Sequence, residues 1–179
     1  MHFTSATLLL GLLALTSASP LHRSHRRQAA VLQSQTYSQF QVSDGVAGSA
    51  LDEVNAAFPV AALDPATISE EDIQRLKDAR VIAEDAEVGT GGFNEQIDAA
   101  DAAGEDTTAL QNGKIKNKVL KLQLQVLVLE IQAAQGNPND AKLQEQLTKL
   151  NNNIQQDEDA AGESSVGVGA QFSGAEESD

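Results

Sequence analysis

One run constrains this chain more than any other: Lys114 to Gln135, KIKNKVLKLQLQVLVLEIQAAQ. It is the longest apolar-rich stretch after the N-terminal leader. At about 100° per residue, Ile115, Val119, Leu122, Val126, Leu129 and Ala133 fall on one helical stripe. Leu120, Leu124, Leu127, Ile131 and Ala134 fall on a second. Lys116, Gln123 and Glu130 lie in the seam between them. Lys114, Asn117, Lys118, Lys121, Gln125 and Gln132 form the opposite, wet face, interrupted only by Val128. A helix with two apolar stripes needs two neighbours, so the run predicts the central helix of a bundle. Burying its ten large aliphatics would contribute roughly 15–30 kcal/mol gross, at about 1.5–3 each, before conformational entropy. Residues 120–126 also alternate with period two, as a strand would. The length of the run, free of Gly and Pro and rich in good helix formers, decides for helix.

The rest of the chain reads as an exported all-α protein. Residues 1–18 resemble a secretory signal peptide, with an apolar core at Leu8–Leu15 and a small-residue cleavage site ending at Ala18. Residues 19–27, SPLHRSHRR, read as a basic propeptide cut after the dibasic pair Arg26-Arg27. That cut removes Arg23, Arg26, Arg27 and every histidine. It takes the formal charge from −14 to −17, 9 basic against 26 acidic side chains. Residues 28–42 read as a loosely held N-terminal arm with Tyr37 and Phe40 as anchors. The helical bundle, of four to five helices, is expected over 43–156. Ser43 is its first predicted N-cap, and Pro59 ends that first helix. Ser69 with Asp72 forms a capping box for a helix carrying Ile73, Leu76, Arg80, Ala83 and Ala86, which stops near Gly89. A short Ala-rich helix runs from Phe93 to Gly104. Gly113 either weakens the central helix or marks its start. Gly136 closes that helix, Asn137 caps the next, and Leu143, Leu147, Leu150 and Ile154 form its stripe. Residues 157–179 read as a disordered acidic tail.

Chemistry is constrained by what is missing. There is no cysteine and no tryptophan, so neither disulfides nor thiol nucleophiles are available. After processing no histidine or methionine remains, which removes Ser-His-Asp relays and His-ligated zinc. The expectation is therefore no catalytic residue, no cofactor and no metal ligand. Asp157-Glu158-Asp159 with Gly162 fails as a calcium loop, because Ala161 and Val168 occupy ligand positions. Gly91-Gly92 lacks the lysine and strand of a phosphate loop. The acidic balance disfavours nucleic acid and anionic membranes. No apolar run reaches the length of a membrane span. Lys114, Lys118 and Lys121 stand out as a basic face in an acidic chain. They read either as solvation beside acidic helices or as a docking patch for an acidic partner.

The leader, the dibasic site, YSQFQVSDGVAG, GKIKNKVLKLQLQVLVLEIQAAQG and KLNNNI together resemble the cysteine-free small secreted proteins of filamentous ascomycete fungi. The resemblance implies export and a helical fold. It carries over no functional residue, because that family has no assigned activity. The preferred expectation is a non-enzymatic, secreted, extracellular protein that acts by contact with a cell-wall, extracellular or host protein partner. A bundle that binds lipid or hydrophobic surfaces is the alternative, and a carboxylate-based enzyme the third reading.

Overall fold

A computed structural model describes residues 29–169; the processing residues Ala18, Arg26 and Arg27 lie outside them. The structure is mostly helical. A single turn, α1 (Tyr37–Phe40), precedes α2 (Ala50–Ala57), α3 (Glu70–Val88), α4 (Phe93–Ala103), α5 (Thr108–Ala134) and α6 (Asp140–Asp159). Two 3-10 turns, at Pro59–Ala62 and Pro65–Thr67, link α2 to α3. Two short strands, β1 (Gly45–Val46) and β2 (Ser164–Ser165), pair antiparallel.

The central run is a helix, and its two stripes find two separate neighbours. Leu120, Leu124, Leu127 and Ile131 join the main core with Ile73, Leu76, Ala79, Ala83 and Ala86 of α3. The alanines let α3 approach α5 closely. Val119, Leu122 and Val126 meet Leu150 of α6 and Ala50 of α2, flanked by Leu143, Leu147 and Ile154. Asp106 starts α5 in place of a side chain at Thr107: its Oδ1 accepts from the Thr108 amide at 2.9 Å and hydroxyl at 2.6 Å. These bonds hold the Asp106 carboxyl below its ordinary value.

Three positions on α5 depart from the simple helical reading. Val128, assigned to the wet face, is 3% exposed and belongs to the α3-side core. It sits at the shoulder of the wet stripe, where α3 covers it. Asn117, also assigned to the wet face, is fully buried. Its Nδ2 donates to Ala83 O at 2.8 Å and its Oδ1 accepts from Tyr37 Oη at 2.9 Å. Lys116, assigned to the seam, is buried with 0% exposure. Its ammonium donates to Val46 O at 2.9 Å and Asp44 O at 3.3 Å and pairs with Glu53 at 2.9 Å. A buried charge survives only when it is paired and hydrogen-bonded, and Lys116 is both.

The arm is part of the core rather than loosely held. Leu32, Tyr37, Phe40 and Val42 are all buried, and Phe40 meets Phe58 edge-on with ring centroids 5.7 Å apart. Asp72 anchors the arm. The predicted cap forms, with Asp72 N donating to Ser69 Oγ at 3.0 Å. The same carboxylate also accepts from the backbone N–H of Val31 at 2.9 Å and of Leu32 at 2.8 Å. The first long helix begins at Ala50 behind Ser49, not behind Ser43. Gly45 and Gly48 have φ of +99° and +112°, and this left-handed backbone keeps the chain out of helix until Ser49.

The two remaining corrections lie at α6 and beyond. The α5–α6 turn has Gly136 at φ +94° as expected, but Asn139, not Asn137, caps α6, accepting from Lys142 N at 3.2 Å. The chain then stays ordered past residue 157. α6 continues to Asp159, β2 pairs with β1, Val166 N donates to Ala109 O at 2.9 Å, and Val168 is buried in the main core. Gly113 explains how this segment fits. A Cβ there would lie 1.9 Å from Val166 O, so glycine is required by the segment that crosses after β2 and not by the start of the helix. Ordered structure therefore reaches at least Gly169, and the predicted tail boundary at 157 is too early.

Candidate contact surface

The predicted lysine patch divides. Lys121 is neutralised: its Nζ lies 3.2 Å from Glu84 and 2.5 Å from Glu87, both on α3. Lys114 and Lys118 are half-buried and make no ion pair among the described residues. The stripe that holds all three continues along α5 to Gln125 and Gln132. α3 borders this stripe on one side, as the Lys121 pairs show. α6, folded back by a short turn, borders it on the other.

At the Gln125–Gln132 end the stripe forms the floor of a groove of about 640 Å³. Lys77, Arg80 and Val81 of α3 form one wall; Asn137–Asn139 and Lys142 form the other. Three cations thus meet in one groove, and no carboxylate lines it. Lys77 and Lys142 make no ion pair within 4.0 Å among the described residues. Arg80 has only a loose contact to Glu84, at 3.8 Å on its own helix. Two of these residues were not singled out in the sequence. Arg80 was assigned to the buried α3 stripe, whose actual member at that level is Ala79. The legible signal was Lys77 and Arg80 at i, i+3, with Lys142 just past a tight turn.

A second groove, of about 790 Å³, runs along the opposite side of α3. Leu32, Phe40, Phe58 and Ile82 line it, with polar side chains of the arm, Arg75 and Asp78. Arg75 pairs with Glu71 at 2.9 Å, while its buried Nε has no partner among the described residues. Val81 is 53% exposed and lines both grooves. Val81 is thus the one residue that the two grooves share.

The buried carboxylates already have structural partners. Asp72 holds the arm, Glu87 pairs with Lys121, and Asp157 accepts from Ala50 N at 2.8 Å at the start of α2. Both apolar stripes of α5 are covered by neighbouring helices, and polar side chains line both grooves. No described helix is long and apolar enough to cross a membrane.

A family described as a domain of unknown function, DUF8454, matches residues 32–169. The match begins at Leu32, a buried residue of the arm, and ends just past Val168, so it covers nearly all of the described residues. No curated protein and no solved structure matches the chain. The chain belongs to the DUF8454 family.

Proposed function

We propose that this member of the family is a non-catalytic secreted protein that acts by contact, through the face between α3 and α6. One observation carries the reading: Lys77, Arg80 and Lys142 converge in a groove free of carboxylates, on a chain with a formal charge of −14. Such local inversion of charge attracts a partner that the rest of the surface repels. Export is supported by the leader at 1–18 and the dibasic pair at Arg26-Arg27. A cut after Arg27 is compatible with the fold, because the arm is anchored further on, at Val31 and Leu32.

The test has two parts. N-terminal analysis of secreted material should give a start at Gln28; a start at Ser19 would contradict the processing. Co-sedimentation with insoluble extracellular and wall material should be lost when Lys77 and Lys142 are both changed to Glu, with helical content unchanged. Retention that ignores both substitutions would count against this face. Turnover of an ester, peptide or glycan that vanishes with one carboxylate substitution would replace contact by catalysis.

A further inference from the structure

We infer that the groove between α3 and the α5–α6 turn docks an extended acidic peptide segment of another protein. The inference rests on the contact reading above and names its partner. The cations stand on opposite walls, Lys77 and Arg80 on α3 and Lys142 on α6, with α5 as the floor between them. That arrangement suits a segment lying along the groove with carboxylates pointing to both sides. Arg80 offers a planar fork to a carboxylate, and the two lysines offer flexible point charges. Between them, Gln125 and Gln132 present amides that can both donate to and accept from a peptide backbone. Val81, 53% exposed at the rim, supplies an apolar contact for an uncharged side chain of the segment.

Other anions fit less well. No aromatic side chain lines the groove, so a sugar ring has no stacking platform. A long polyanion would extend beyond the three cations and meet the repulsion of a chain carrying 26 carboxylates against 12 cations. A short acidic segment stays within about one Debye length, near 8 Å, of the groove. Gly169, the last described residue, follows a segment held at the opposite end of α5. There Val166 crosses Gly113 and Gly167 N donates to Asp44 at 2.8 Å.

The experiment uses the full secreted chain and a short fluorescein-labelled peptide of Glu interspersed with Gly and Val, read by fluorescence anisotropy. Lys77→Glu with Lys142→Glu should weaken binding at least about tenfold, and raising the salt should weaken the wild type similarly. Lys149→Glu should change affinity by less than about twofold, because Lys149 lies outside the groove and pairs with Glu145. The Gln-for-Glu peptide should not bind. Circular dichroism confirms that each variant is folded. Equal weakening by Lys149→Glu, or tighter binding of polyphosphate or oligogalacturonate through the same lysines, would overturn the inference. So would absence of peptide binding. If the peptide fails while co-sedimentation still depends on Lys77 and Lys142, the contact reading stands and only the peptide partner falls.

Discussion

Tyr37 is the only tyrosine of a chain without tryptophan, so its phenol reports on the core without interference. Burial pushes its pKa from 10.0 up to about 12, and the nearby Asp44 charge adds to this. The folded value exceeds the unfolded one. Its contribution is therefore complete below pH 10 and is lost as pH rises towards 12, up to about 2–3 kcal/mol. Ultraviolet titration of the native protein should show no phenolate near pH 10, and ionisation should come only near pH 12 or with unfolding. A free midpoint at 10 would mean that the arm is not packed. Asn117 is the partner: Asn117→Ala removes the bond from Tyr37 Oη and the bond to Ala83 O, and thermal or denaturant unfolding should show a loss of about 1–3 kcal/mol, two buried hydrogen bonds at about 0.5–1.5 each. The aliphatic stripes were legible because periodicity alone identifies them. Asn117 and Lys116 were not, because polar residues on a helix are placed in water by default. Their partners, Tyr37 of the arm, Ala83 of α3, Val46 of β1 and Glu53 of α2, are brought in from 34 to 80 residues away.

At the scale of elements, Gly113 and the C-terminal segment form one unit. Gly113→Ala improves helix propensity by about 1 kcal/mol, yet it should destabilise the protein, because the added methyl meets the Val166 carbonyl. A rise in melting temperature would show that the segment does not cross there. Deleting residues 160–179 should lower stability by at least about 1.5–3 kcal/mol, the burial of Val168 alone. Deleting only 170–179 leaves every contact described above in place, so its melting temperature should stay near that of the full chain. Val128→Ala should cost about 1.6 kcal/mol, two methylene equivalents at about 0.8 each. A negligible cost would return Val128 to the wet face. Helices α3 to α6 were legible from caps and stripes, including Ser69 and Gly136. The segment after Asp159 was not. It is held by hydrogen bonds to Ser43, Asp44, Ala47, Ala109 and Asn112, by the two-residue strand pairing and by the buried Val168, none of which makes a periodic pattern.

At the scale of the whole molecule, α5 is a hub covered by α3 on one flank, α6 on the other and α2 with β1 behind. The flank left open is the stripe from Lys114 to Gln132. Sequence alone identified that stripe as basic and singled out Lys114, Lys118 and Lys121 on it. Glu84 and Glu87 pair with Lys121 alone of these, and the groove lined by Lys77, Arg80 and Lys142 is assembled from α3 and α6, whose juxtaposition no local spacing reveals. The most direct measurement of the contact face is a lysine-reactivity footprint of the secreted chain, free and bound to the extracellular material that retains it. Lys116, fully buried, should be unreactive in both states. The account predicts protection of Lys77 and Lys142 on binding, with Lys149 unchanged. Protection of Lys149 with Lys77 and Lys142 still reactive would place the contact on the other side of α6 and contradict it.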